Sequence, residues 1–176
     1  MSTQSISALI WSTADLLRGD YKQSDYGKII LPFTLLRRLE CVLELTRDDV
    51  LVEYKARKNL GVPMEQFLVR KSGHSFFNTS TYTLKKLIAD PNNIKENLDS
   101  YINDFSSNAR EIFEKYEFDT QIDKLNDGNL LYMIVEKFSS FNLHPDAISN
   151  HAMGLIFEEL IRKFAKASNI QMLSES

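Results

Sequence analysis

The chain has 176 residues, of which 43% are hydrophobic and 26% are charged, and its formal net charge at pH 7 is −3. Its single cysteine excludes an internal disulfide. Its apolar runs are far shorter than the ~20 residues that cross a bilayer, and its first residues carry no basic segment of a secretory signal. We expect one cytoplasmic domain over residues 1–176, with a sizeable core and no membrane contact.

Apolar residues recur at helical spacing in the first part of the chain. The first stripe consists of Ile6, Leu9, Ile10, Thr13, Leu16 and Leu17, and the second of Leu35, Leu36, Leu39, Val42 and Leu43. Pro32 is expected near the start of the second helix, because a proline deeper in a helix removes a backbone hydrogen bond. Ile29 and Ile30 are then expected in a short separate turn.

Further helices are predicted over residues 49–60, 83–89, 94–105, 109–116 and 129–141. A final helix is predicted from a stripe that consists of Met153, Ile156, Phe157, Leu160, Ile161 and Phe164. Ser149 or Asn150 is its candidate N-terminal cap. Together these elements predict an all-α fold, a compact multi-helix bundle.

Residues 69–83, VRKSGHSFFNTSTYT, have no helical period and predict one long ordered loop. Arg70 and Lys71 near its start favour a loop that grips a phosphate backbone. Its aromatic residues favour a loop that is anchored to the core and touches no ligand. Both interpretations are open at the level of the sequence.

Two long segments carry a family resemblance. Residues 10–20, IWSTADLLRGD, and residues 26–40, YGKIILPFTLLRRLE, resemble the N-terminal helical domain of the modification (M) subunits of type I restriction-modification systems. Residues 143–164, LHPDAISNHAMGLIFEELIRKF, resemble the end of that domain. The resemblance runs from about Ile6 to Asn169 and implies part of a DNA methyltransferase that modifies adenine N6.

In that family a catalytic domain follows, with a glycine-bearing loop for S-adenosylmethionine and an Asn-Pro-Pro-aromatic motif. The six glycines here have no Gly-x-Gly spacing, and the four prolines are never adjacent. The three histidines lack the spacing of a metal site. We therefore expect these residues to hold no catalytic domain, cofactor site or metal site and to be non-catalytic alone, with S-adenosylmethionine bound by the parent enzyme.

The two halves of the chain differ in charge. Residues 1–86 hold 13 Lys+Arg and 9 Asp+Glu, a net of +4, whereas residues 87–176 hold 8 and 15, a net of −7. If DNA binds, it is expected on the basic half. The candidate contacts are Lys22, Lys28, Arg37, Arg38, Arg70, Lys71, Lys85 and Lys86. The open alternative is ordinary solvated charge, since the sequence pI near 5.7 is not that of an independent DNA binder.

Arg37 and Arg38 are neighbours on one predicted helix, so we expect their side chains to point in different directions. One is a candidate for a phosphate or a partner carboxylate, and the other is expected near Glu40.

Two functions of different class remain open. The resemblance implies a module that helps to assemble the M subunit with the specificity subunit and a second M subunit and clamps duplex DNA. The restriction subunit is a further candidate partner. The alternative is a helical protein-interaction domain without direct DNA contact. Its candidate contacts lie on the last helix and are Leu155, Glu158, Glu159 and Arg162.

Overall fold

The computed structural model describes residues 2–166 with their side chains and the backbone of the last helix to residue 175. Its α-helices are α1 (Thr3–Trp11), α2 (Tyr26–Leu43), α3 (Arg47–Arg57), α4 (Glu65–Ser72), α5 (Leu84–Ile88), α6 (Ile94–Asn103), α7 (Ser107–Lys115), α8 (Phe118–Asp127), α9 (Leu131–Ser139) and α10 (Asn150–Glu175). Short 3-10 helices occupy Ser12–Leu16, Gln23–Asp25, Glu44–Thr46 and Pro91–Asn93. No strand occurs within residues 2–175, so the all-α prediction is confirmed.

Helix α2 lies at the centre of the core, between α8, α9 and α10. Ile29, Ile30, Phe33 and Leu36 are all completely buried. The Phe33 ring lies 4.8 Å from the Phe118 ring and 5.4 Å from the Phe138 ring, measured between centroids. Burying one such side chain stabilises a fold by roughly 1.5–3 kcal/mol, so these four residues of α2 contribute strongly to the stability of the domain.

The prediction for Pro32 is wrong. Helix α2 begins at Tyr26, so Pro32 lies inside it and Ile29 and Ile30 belong to the same helix. A proline in this position lacks the N–H that would bond to the carbonyl of Lys28. Burial of both isoleucines in the core offsets that loss, which is a tertiary effect that local helix rules do not contain.

The first predicted stripe, which starts at Ile6, is divided between α1 and the 3-10 helix that follows it, and Leu17 lies directly after that 3-10 helix. The helices predicted elsewhere are present, but two helices were not predicted. Helix α4 extends to Ser72, so the long loop begins at Gly73 rather than at residue 69. Gly73 adopts a φ of 73° and its N–H bonds to the Val69 carbonyl, which is how a glycine ends a helix. Helix α8 buries Phe118, Ile122 and Leu125 at helical spacing, a periodic signal that the sequence did contain.

The start of α10 is capped as predicted, because the Ala152 N–H donates to the Ser149 hydroxyl at 3.1 Å. Met153, Ile156, Leu160 and Phe164 of its stripe are buried. Ile161 is 54% exposed, so its assignment to the buried stripe is wrong.

Gly27 and Gly154 provide a matched test of helix packing. A Cβ atom on Gly27 would lie 3.1 Å from Phe164 Cγ, whereas one on Gly154 would meet nothing within 4 Å. We expect Gly27→Ala to lower the free energy of unfolding by about 1–3 kcal/mol, because it forces α2 and α10 apart. Gly154→Ala is expected to raise it by about 0.5–1 kcal/mol, because alanine loses less chain entropy in a helix. Urea unfolding of both variants tests this, and equal effects would contradict the close contact at Gly27.

Candidate nucleic-acid interface

The loop over residues 73–83 is tied to the turn between α6 and α7. The Phe77 N–H donates to the Ser106 hydroxyl at 3.1 Å, and the Ser106 N–H donates to the Phe77 carbonyl at 2.9 Å. The Asn78 amide donates to the Tyr101 carbonyl at 3.0 Å, and Phe77 itself is buried. The predicted anchoring of the loop to the core is therefore confirmed, whereas whether the loop touches a ligand stays a prediction.

Basic side chains gather at both ends of this loop. The Thr81 carbonyl accepts hydrogen bonds from the Arg47 guanidinium and from Lys86 Nζ, the latter at 3.0 Å. Thr46 Oγ1 donates to the Ser72 carbonyl at 2.7 Å, which holds the basic end of α4 beside the start of α3. We name this group the loop cluster, and its members are Arg47, Arg70, Lys71, Lys85 and Lys86.

Sequence reasoning missed Arg47. Asp48 and Asp49 follow it directly and make the segment acidic, and only the fold brings its guanidinium to Thr81. Arg70, Lys71, Lys85 and Lys86 were predicted, and all four are exposed.

Lys22 and Lys28 do not belong to the loop cluster. They lie before and within the first turn of α2, whereas Arg47 follows its last turn. An 18-residue helix is about 27 Å long, so the two groups are separated by roughly that distance. Lys28 pairs with Asp25 at 3.3 Å. The predicted contacts are therefore divided between two ends of the domain.

Arg37 and Arg38 both reach the connection between α9 and α10, so the prediction that they point in different directions is wrong. The prediction that one of them lies near Glu40 is confirmed, because Arg37 Nη1 donates to Glu40 Oε1 at 2.6 Å. Arg37 Nε donates to the Phe141 carbonyl at 2.8 Å. Arg38 Nη1 donates to the carbonyls of Leu143 and Ile148, each at 2.8 Å. The carbonyl groups of this connection accept hydrogen bonds from both side chains. Arg38 is only 4% exposed and Arg37 is largely covered, so neither is proposed as a DNA contact.

Glu40 holds the start of α5 in place. Its Oε2 accepts from the Leu84 N–H at 2.8 Å and from the Tyr101 hydroxyl at 2.7 Å. Its Oε1 accepts from Arg37 Nη1 at 2.6 Å. Because Leu84 is the first residue of α5, this buried carboxylate determines where Lys85 and Lys86 emerge from the core.

The Tyr101 hydroxyl is expected to stay protonated in the folded state at pH values above the usual tyrosine pKa of 10.0. Burial raises the pKa of its hydroxyl well above 10.0, and the nearby Glu40 carboxylate raises it further. Because the folded-state pKa is raised, the protonated Tyr101 hydroxyl contributes to the stability of the folded state. This contribution is fully present below pH 10.0 and is lost as the pH rises through the folded-state pKa.

Alkaline titration of tyrosinate absorbance tests this expectation on a chain with seven tyrosines. The wild type and Tyr101→Phe should titrate the same number of hydroxyls before unfolding. One hydroxyl fewer in the variant would contradict the assignment.

A cleft between α6, α7 and α8 has a volume of about 540 Å³. Five carboxylates line it, and they are Asp99, Glu114, Glu117, Asp119 and Asp123. Lys95 pairs with Asp99 at 3.0 Å and with Asp123 at 3.2 Å. The remaining negative charge disfavours a polyanion on this side of the domain.

The predicted partner contacts lie together on α10. Leu155, Glu158, Glu159 and Arg162 follow the i, i+3, i+4, i+7 spacing of one helix face. Leu155 is 42% exposed, and Arg162 pairs with Glu159 at 2.6 Å. This surface therefore offers an apolar side chain beside a fixed ion pair.

Among the described residues, no helix has the length and apolar character needed to cross a membrane. The same part of the chain contains no group of three or more His, Cys, Asp or Glu side chains placed to hold a metal ion.

Comparison with known proteins identifies the family. Searches against curated proteins and against solved structures found no match. The family described as "HsdM N-terminal domain" matches over residues 6–138. That range includes α2 and the whole loop cluster, and it ends before residues 143–164, whose resemblance stays a prediction. Since the match spans well over half of the chain, the protein belongs to the HsdM N-terminal domain family, the N-terminal part of type I restriction-modification methyltransferase subunits.

Proposed function

We propose that this domain is a non-catalytic module that helps to close the methyltransferase complex around duplex DNA, with the loop cluster on the phosphate backbone. The observation that carries the proposal is the convergence of Arg47 and Lys86 on the Thr81 carbonyl, with Arg70 and Lys71 at the other end of the same loop. Cations held around an anchored loop neutralise phosphates without reading base sequence. On this proposal, sequence recognition belongs to the specificity subunit.

The proposal also covers the cofactor, the protein partners and the location of the parent complex. We infer that S-adenosylmethionine binds in the parent enzyme and not to these residues. The specificity subunit, a second M subunit and the restriction subunit are the proposed protein partners, and the cytoplasm is the proposed location. The acid-lined cleft between α6, α7 and α8 faces away from DNA on this proposal, because like charges repel.

Fluorescence anisotropy with two unrelated labelled duplexes tests the DNA contact. The Lys85→Ala/Lys86→Ala double variant is expected to weaken binding equally for both duplexes. It should lower the slope of log affinity against log salt by about 1.8, because each phosphate contact on duplex DNA contributes roughly 0.9. Arg70→Ala/Lys71→Ala should behave in the same way.

The matched control is Lys115→Ala/Lys124→Ala, which removes the same charge from exposed lysines on α7 and α8. This control should leave the salt slope unchanged. Equal losses in the control and the test variants, or no binding of the wild type at low salt, would contradict the proposal.

A protein-interaction domain without DNA contact is the second candidate, and the exposed side chains of α10 favour it. Leu155 and Ile161 are 42% and 54% exposed. If α10 docks on the specificity subunit, Leu155→Asp should abolish co-elution with the purified subunit while duplex binding is unchanged. Co-elution of the variant at the wild-type level would argue against docking through this face.

A further inference from the structure

A second cationic cleft lies at the opposite end of α2 from the loop cluster. It has a volume of about 320 Å³ and is lined by Trp11, Ala14, Arg18, Gln23, Tyr26, Lys163 and Lys166. This volume lies at the lower end of the ~300–1,000 Å³ found for small-molecule clefts. We name it the Trp11 cleft.

Close packing of α1, α2 and α10 builds this cleft. The Trp11 and Phe164 rings lie 4.9 Å apart, measured between centroids, at an angle of 45°. Phe164 also packs against Gly27 at the start of α2. Lys163 and Lys166 lie on the same face of α10 at i, i+3 spacing, and both line the cleft together with Trp11.

The charge of the lining is one-sided. Arg18, Lys163 and Lys166 line the cleft, and none of the lining residues within 2–166 is acidic. Arg18 pairs with Asp15 at 3.0 Å, whereas Lys163 and Lys166 form no ion pair with any side chain described in residues 2–166. Two cations are therefore available to an anion, in contrast to the acid-lined cleft between α6, α7 and α8.

The floor of the cleft is apolar and aromatic, so phosphate alone would leave it empty. Trp11 is only half-buried, and Tyr26 and Ala14 extend the apolar surface below it. A ligand that satisfies both parts carries a negative charge next to a flat ring. An unpaired nucleotide has this chemistry, because its base stacks on aromatic side chains and its phosphate pairs with lysine.

We propose that the Trp11 cleft binds an unpaired nucleotide of DNA, with the base on the indole of Trp11 and the phosphate on Lys163 and Lys166. The proposal rests on the proposed DNA function, which makes DNA the source of the nucleotide. A nucleotide within a duplex does not fit, because its base is stacked and paired. The cleft therefore prefers single strands, frayed ends and nucleotides displaced from a helix.

Intrinsic fluorescence tests this directly, because Trp11 is the single tryptophan of the chain. Titration with a single-stranded oligothymidine at low salt should change its emission saturably, whereas a blunt duplex of the same length should change it much less. For Lys163→Ala/Lys166→Ala, the slope of log affinity against log salt should fall by about 0.7, since the two lysines hold one phosphate and each phosphate contact on a single strand contributes roughly 0.7. Lys115→Ala/Lys124→Ala is the control of equal charge and should match the wild type.

Three further arms separate the possible failures. Thymidine monophosphate should give the same emission change as the strand at higher concentration, and an oligoglutamate should give none. Lys85→Ala/Lys86→Ala should weaken duplex binding without altering the Trp11 titration, so failure of the loop cluster and failure of the cleft are distinguishable. An unchanged emission on adding single strand, a control as impaired as Lys163→Ala/Lys166→Ala, or saturation by oligoglutamate would overturn the proposal.

Discussion

Replacing Arg38 by alanine is expected to lower the free energy of unfolding by about 3–5 kcal/mol. Its guanidinium donates to the Leu143 and Ile148 carbonyls and to Asn150 Oδ1 at distances of 2.8–2.9 Å. The change removes these three hydrogen bonds, leaves two main-chain acceptors without their donor, and opens a cavity in the core. It therefore loosens the connection that delivers the chain from α9 to the start of α10.

For Arg38, the contribution of side-chain volume to stability can be measured separately from the contribution of its hydrogen bonds. Arg38→Met fills much of the same space without a donor, so it should remain destabilised by most of the alanine value. Arg162→Ala is the control, because Arg162 is exposed on α10 and its pair with Glu159 should contribute less than about 0.5 kcal/mol. Chemical unfolding of the three variants measures the differences. A loss of less than about 1 kcal/mol in Arg38→Ala would contradict the structural role.

Glu40→Ala is expected to lower the free energy of unfolding by about 3–5 kcal/mol, because it leaves a largely buried arginine without its carboxylate. The Glu40 side chain accepts from Arg37, Tyr101 and the Leu84 N–H, so one substitution removes the acceptor of three donors. Glu40→Gln should have an intermediate effect, because the amide keeps one acceptor oxygen and points an N–H group at an existing donor.

Hydrogen exchange and a double-mutant cycle locate the effect of Glu40. The Leu84 amide should exchange faster in Glu40→Ala, since it loses its buried acceptor. Combining Glu40→Ala with Tyr101→Phe should give a coupling energy of about 0.5–3 kcal/mol, because the two side chains share a hydrogen bond of 2.7 Å. Strictly additive effects would show that Glu40 and Tyr101 act independently.

The Glu40 variants also connect stability to the proposed DNA contact. Loss of the Leu84 anchor frees the first turn of α5, which carries Lys85 and Lys86. Glu40→Ala should therefore weaken duplex binding at a temperature where it is still folded, although Glu40 itself has no contact with DNA on this proposal. Unaltered duplex affinity in the folded variant would separate the buried network from the loop cluster.

The amino-acid sequence by itself determined the fold class, the family and most helices of this protein. Its apolar residues repeat at helical spacing. This pattern can be read without knowing which elements pack together, because burial of one face stabilises each helix. The Ser149 cap followed from the same local chemistry. Residues 10–20 and 26–40, which resemble the M subunits, lie inside the range matched by the family, residues 6–138.

Tertiary structure decided the features that depend on distant residues. Pro32 lies within α2 because core burial outweighs a local helix rule. The charge of Arg38 predicted an exposed side chain, yet its guanidinium is buried and donates to carbonyls more than 100 positions away in the chain. Arg47 joins Lys86 only because the loop between α4 and α5 folds back onto the α6–α7 turn. Periodicity reports which face of a helix is buried, whereas the partner of a polar side chain is determined by three-dimensional packing.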